Sequence, residues 1–179
     1  MKREEFEHVI KAAADIVKDE IVVIGSQSIF GQFGNPPASL LRSLEVDVYP
    51  RNAPERAIEI DGAIGEGSRF YDTYGYYAHG VGPETAKAPA GWEGRLVRVD
   101  LPAIRPREGT VTAWCLEIHD LVLAKLAAGR EHDLEFAVDA LRDGLVDENQ
   151  LRLGLDLMPE SYRDRARTLL DNVVVRSGQ

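Results

Sequence analysis

Residues 44 to 49 alternate strictly, with Leu44, Val46 and Val48 on one side and Glu45, Asp47 and Tyr49 on the other. A period of two belongs to extended chain, so the run predicts a half-buried strand stopped by Pro50. The same period sets both carboxylates on one face, roughly 7 Å apart along the strand. Like charges held that close repel unless a cation lies between them. Carboxylate oxygens suit Mg²⁺, which takes one or two of them and leaves its other positions to water and substrate phosphates. The plainer reading of the pair is a solvated strand face.

Upstream, Phe6, Val9, Ile10, Ala13, Ile16 and Val17 recur at helical spacing and predict a helix over 4–18. Ile21-Val22-Val23-Ile24 is a short apolar run that reads as a buried strand. Gly25-Ser26 follows at once, and Ser28, Ile29, Phe30 and Phe33 suggest a second helix. A glycine admits close approach of a phosphate to the backbone. A serine hydroxyl and the free N–H groups of a helix start can hold phosphate oxygens. The same two residues also fit a tight turn with Ser26 as N-cap.

Past the breaker Gly34-Asn35-Pro36-Pro37, residues 38 to 42 suggest a helical turn, and Pro54 opens a predicted helix over 54–64. Residues 65 to 94, rich in Gly, Pro and Tyr, predict turns and short strands, among them Tyr76-Tyr77-Ala78. Strands follow over 95–101 and 111–116. From Glu117 the pattern is helical to the end, with a break at Gly129. The expected fold class is α+β: a mixed sheet flanked by helices over 1–116, with a helical part over 117–179 packed on it as one compact unit.

Composition removes several function classes. The chain has 179 residues, 44% of them apolar, enough to bury a core without cross-links. Its one cysteine, Cys115, has no internal partner and reads as a small buried residue of a reducing compartment. No apolar run approaches the roughly 18 residues of a membrane span, and no signal peptide is visible, so a cytoplasmic protein is expected. A net charge of −9 disfavours extended, non-specific binding to a phosphate backbone and leaves room for a local basic groove or a basic partner protein.

The four histidines, His8, His79, His119 and His132, show no metal-ligand spacing and read as structural or surface residues. Gly65-Glu66-Gly67-Ser68 is no phosphate loop; it reads as a turn able to shape a nearby pocket. Tyr71, Tyr74, Tyr76 and Tyr77 fit either base stacking or a tyrosine-rich sheet surface. Lys125 lies among the apolar positions of its helix. Its ammonium either answers a phosphate or a carboxylate, or snorkels from the helix edge.

A strand ending in Gly25-Ser26, followed by a strand carrying Glu45-Val46-Asp47, resembles the signature of the nucleotidyltransferase superfamily. Arg42-Ser43-Leu44-Glu45-Val46-Asp47 resembles a block of its AbiEii and MenT toxin branch, and Lys125-Leu126-Ala127-Ala128-Gly129-Arg130-Glu131-His132-Asp133 resembles a second block of that branch. The resemblance covers about residues 20 to 140. It implies a nucleoside triphosphate held at Gly25 and Ser26, Mg²⁺ on Glu45 and Asp47, and Ser43 beside them as ligand or modification site. It implies Lys125 against the phosphates and Asp133 as an active-site carboxylate on the acceptor side. It also implies an RNA acceptor such as tRNA, and a cognate antitoxin as partner.

Glu45 departs from the family, which has aspartate there; the extra bond moves a bound ion by about 1.5 Å. Asp100, at a predicted strand end, is the candidate for the superfamily's third carboxylate. Two further readings stand beside nucleotidyl transfer to RNA. One is transfer to a small molecule, such as an antibiotic; the other is a catalytically silent binding protein that keeps the fold.

Overall fold

Ile21–Val23 forms a three-residue strand, β1, buried on both faces. The computed structural model, which describes residues 1–105 and 109–178, pairs β1 antiparallel with β2 (Glu45–Pro50) and parallel with β5 (Thr110–Cys115). β3 (Tyr77–Gly80) adds parallel to β2, and β4 (Val97–Pro102) adds antiparallel to β5. The result is a mixed five-stranded sheet in the order β3-β2-β1-β5-β4.

Register fixes what each face carries. Val46, Val48, Ile21, Val23, Ala113, Cys115, Ala78 and Leu101 share one face and are all buried. Helix α1 (Arg3–Val17) crosses all five strands and buries Phe6, Val9, Ile10, Ala13 and Val17. Glu5 accepts the Lys2 backbone N–H at 2.6 Å and so holds the first turn. Helix α2 (Ala57–Ile64) follows a 3₁₀ turn opened by Pro54 and buries Ala57, Ile60 and Ile64. The opposite sheet face carries Glu45, Asp47, Tyr49, Tyr77 and His79 at one end, and Trp114, Arg98 and Asp100 at the other.

The sheet and its helices, Met1–Thr85 and Leu96–Leu116, make one compact unit; Ala86–Arg95 and Glu117–Gln179 make a second. In the second, α4 (Ile118–Ala128) is capped by Glu117, whose carboxylate accepts the His119 and Asp120 N–H groups at 2.8 and 3.2 Å. Gly129, at φ +66°, ends α4 in the left-handed region that glycine enters without a steric penalty. Helices α5 (Glu131–Arg142), α6 (Glu148–Leu155) and α7 (Glu160–Ser177) follow. Leu121, Leu126, Ala137, Leu141, Leu151, Ala166 and Leu170 supply its core. The segment 86–95 is tied to these helices: Ala90 N–H donates to the Leu157 carbonyl at 2.8 Å, and Arg95 makes a two-pronged bond to Asp120 at 2.8 and 3.0 Å. Among the described residues no helix is long and apolar enough to cross a membrane.

The α+β class expected from the sequence is the class observed, and four local expectations are corrected. Residues 69–74 form a helix, α3 (Arg69–Tyr74), because Ser68 caps it through the Tyr71 N–H and Gly75 stops it. The segment after Ser26 is one 3₁₀ helix, Ser26–Gly31, rather than an α-helix. Gly25, and not Ser26, is its N-cap. Leu44 lies before β2 and is half exposed, so the buried side of the alternation begins at Val46.

Candidate metal and nucleotide site

Parallel pairing of β2 with β3 sets Glu45 beside Tyr77 and Asp47 beside His79. The Tyr77 hydroxyl donates to Glu45 Oε2 at 3.1 Å, and His79 Nδ1 lies 3.0 Å from Asp47 Oδ1. A carboxylate only accepts, so the Nδ1 of His79 carries the proton in this arrangement. Burial, and then the charge and hydrogen bond of Glu45, push the Tyr77 phenol up to about 12, so it stays a donor at neutral pH.

One ligating atom from each of Glu45, Asp47 and His79 falls within 4.8 Å of the others, the metal-capable grouping found among the described residues. Gly25 is built around it: a Cβ there would stand 2.0 Å from Asp47 Oδ2. Its backbone is ordinary extended chain, so the glycine answers a close approach rather than a special torsion. Ile24 N–H bonds the Asp47 carbonyl at 3.1 Å and locks the end of β1 to this residue. The absent Cβ leaves the Asp47 carboxylate its place, and the two carboxylates fit the oxygen donors Mg²⁺ asks for.

Ser43 serves the local backbone. Its hydroxyl donates to the Glu45 carbonyl at 3.2 Å and accepts the Glu45 N–H at 3.1 Å, fixing the entry to β2. Gln27, fully buried, donates to the Ser43 carbonyl at 3.0 Å and ties the Gly25-Ser26 turn to that entry. Glu45, Asp61, Glu66, Tyr77 and His79 line an open pocket of about 330 Å³, and none of these lining residues is Lys or Arg. Asp61 is held there by the Gly80 N–H at 3.2 Å. A larger pocket of about 610 Å³, by the C-terminal half of α1 and the β4–β5 strands, contains neither carboxylate of the pair; its Asp15 and Lys18 bond each other.

Asp100 does not join the pair. It sits on β4 at one edge of the sheet, with β5 and β1 between it and β2, and accepts from Thr112 at 2.8 Å and Arg98 at 3.0 Å. These bonds hold its carboxyl below the ordinary range. The residue the structure brings beside Glu45 and Asp47 is His79, which the sequence offered only as one of four scattered histidines. The available signal was Tyr77-Ala78-His79, with the same period of two as Glu45-Val46-Asp47; what the sequence lacked was the pairing of the two strands.

Lys125 and Asp133 stand in the helical unit, both buried, Nζ to Oδ1 at 3.0 Å. The ammonium also lies 4.7 Å from the centre of the Phe136 ring. It does not snorkel; it is enclosed and answered by its own unit. Asp133 Oδ2 is buried without a hydrogen-bond partner. Burial raises the Asp120 carboxyl, an effect opposed by Arg95. Cys115 is fully buried, its thiol pushed up to about 12 by burial, which suits an inert core residue.

A mixed sheet whose second strand presents two carboxylates against a Gly-Ser turn is the arrangement that the resemblance to nucleotidyltransferases implies. Over residues 3–164 the chain matches the family described as "Nucleotidyltransferase of unknown function (DUF6036)", and it belongs to that family. No curated protein and no solved structure matches it.

Proposed function

We propose that the protein transfers a nucleoside monophosphate from a nucleoside triphosphate to an acceptor hydroxyl, with Glu45 and Asp47 holding a divalent cation, Mg²⁺ by the usage of this class. The observation that carries the reading is the β2–β3 strand pair. It groups Glu45 and Asp47 with His79 so that one ligating atom of each lies within 4.8 Å of the others, with Gly25 cut back to admit Asp47 and Glu45 lining an open pocket. When bound, the cation stabilises charge developing on the phosphates. The acceptor oxygen attacks the α-phosphorus, the bond to the bridging oxygen breaks, pyrophosphate leaves, and the hydroxyl proton passes to a carboxylate or to water. Gly25 and Ser26 offer backbone N–H groups and a hydroxyl to phosphate oxygens. Tyr77 holds Glu45 in orientation. The roles of Lys125 and Asp133 on phosphate and acceptor rest on the resemblance; geometry within their unit supports an ion pair that fixes the α4–α5 corner.

The resemblance of residues 42–47 and 125–133 to the AbiEii and MenT branch supports an RNA acceptor, tRNA above all, and a cognate antitoxin. The three carboxylates lining the pocket support a second acceptor class, a small amine-bearing alcohol, since they attract cations and repel phosphate. Purified protein with Mg²⁺ and each labelled nucleoside triphosphate, given total tRNA in one arm and amino sugars in the other, separates them. Label entering either acceptor with wild type and not with Asp47→Ala supports transfer and names the class. Label entering neither, with triphosphate still bound, leaves a silent binding protein and overturns the enzyme reading.

A further inference from the structure

The proposed carboxylate pair comes with a nitrogen donor. His79 is two residues along β3 from Tyr77, as Asp47 is two along β2 from Glu45, so parallel register turns both side chains to one face. The imidazole is half exposed and the Asp47 side chain about a quarter exposed, so a cation and its waters can reach both. Together with Glu45 the three ligating atoms span no more than 4.8 Å, and the Gly25 cut-back keeps Asp47 in that position.

We propose that His79 is a third ligand of this cation, giving a two-carboxylate, one-imidazole donor set that prefers a first-row transition ion over Mg²⁺. The inference rests on the reading that Glu45 and Asp47 bind a cation. Mg²⁺ favours all-oxygen surroundings and gives up its water reluctantly, whereas imidazole suits transition ions. The neutral ring needs only to move its proton from Nδ1 to Nε2. The Nδ1 lone pair then faces the cation, and the bond to Asp47 Oδ1 is exchanged for two bonds to the metal. Glu45 in place of aspartate fits the same arrangement, because its longer side chain spans the distance to an ion drawn toward His79.

Mn²⁺ is the probe, because its resonance reports binding and its nitrogen couplings report imidazole ligation without any transferase assay. Full-length wild type is expected to bind Mn²⁺ with a coordinated-nitrogen coupling and to prefer it to Mg²⁺ in competition. His79→Ala should lose the coupling and weaken Mn²⁺ by about 10- to 100-fold, with Mg²⁺ affinity nearly unchanged. His79→Asp should recover much of the affinity with no coupling, and should shift the preference back toward Mg²⁺. Mn²⁺ bound by wild type without nitrogen coupling overturns the proposal and leaves the carboxylate site standing, His79 then only bonding Asp47. No binding by wild type overturns both. Coupled Mn²⁺ in a protein that labels no acceptor upholds the ligand set and rejects transfer.

Discussion

The sheet unit and the helical unit hold their charged groups in opposite ways. In the helical unit Lys125 and Asp133 keep side-chain exposures of 10% and 7%, and each is enclosed against the other. In the sheet unit Asp47 and His79 keep 23% and 51%, and His79 lines an open pocket with Glu45. The Lys125–Asp133 ion pair is closed to solvent, although Asp133 Oδ2 has no hydrogen-bond partner, and serves packing and specificity of fold. An accessible set of oxygen and nitrogen donors, held by strand pairing rather than by burial, can exchange its internal bonds for bonds to a cation. Under the proposed function, cohesion and chemistry therefore fall to different units, and substitutions should separate them.

The largest separation is expected from Asp47→Ala. Label transfer should fall at least a thousandfold, about 4 kcal/mol, as expected where a cation supplies several kcal/mol of charge stabilisation. Unfolding by urea should change little, because the lost side chain is partly solvated. Gly25→Ala should mimic it: the added methyl stands 2.0 Å from Asp47 Oδ2, and displacements of about 1 Å cost roughly a hundredfold in rate. A Gly25→Ala protein with full activity would show that Asp47 can move without consequence, and would break the assignment.

Lys125→Ala should do the reverse, lowering stability by about 3–5 kcal/mol by leaving Asp133 buried and unanswered. The double change Lys125→Met, Asp133→Leu removes both charges and should recover most of that loss. If the double variant instead folds well and loses all transfer while Mn²⁺ binding is intact, the pair is catalytic as the family resemblance implies, and the contrast between the units fails.

How much of this was legible follows the range of the interactions. β2, with its two acids, was readable because a period of two is local, and so were the break at Gly129 and the order of the C-terminal helices. α3 was lost in a stretch dominated by Gly and Tyr, although Ser68 and Gly75 bracket it as cap and stop. His79 was not readable, since its place depends on β3 pairing with β2 across 32 residues. The docking of 86–95 on the helices was hidden for the same reason: it rests on Arg95 meeting Asp120, 25 residues away. Glu117 caps α4, while Asp120 in its first turn is turned inward to Arg95.

That contact gives a smaller, pH-dependent effect. Arg95→Ala should cost about 1–3 kcal/mol at neutral pH by leaving the Asp120 carboxylate buried without its donor. Burial already raises the Asp120 carboxyl above the ordinary 3.8, and Arg95 opposes the rise, so the variant's carboxyl rises further. A folded acid with a raised value binds more protons than the unfolded chain. Its contribution to stability is therefore greatest below the unfolded value and is lost as pH climbs through the folded one. The deficit of Arg95→Ala against wild type should narrow as pH is lowered from 7 toward 4, measured by urea midpoints. A deficit that stays constant with pH would place the main loss in the Pro89 and Ala90 carbonyl contacts of Arg95 instead, since neither partner titrates in that range.

Tyr77→Phe is the finest probe of the open site, because it removes one oxygen and keeps the ring that packs 5.1 Å from Tyr71. The lost bond to Glu45 is worth about 0.5–1.5 kcal/mol. If the phenol only steadies the fold, that loss appears in urea unfolding and Mn²⁺ affinity is unchanged. If it orients Glu45 as a ligand, unfolding barely moves, because the freed carboxylate meets water at the open pocket, and the same free energy appears in metal affinity as a weakening of about two- to tenfold. The second outcome is expected. Glu45 has a longer side chain and more rotamers than an aspartate, so it has more orientation to lose, and Tyr77 is the donor that fixes its terminal oxygen.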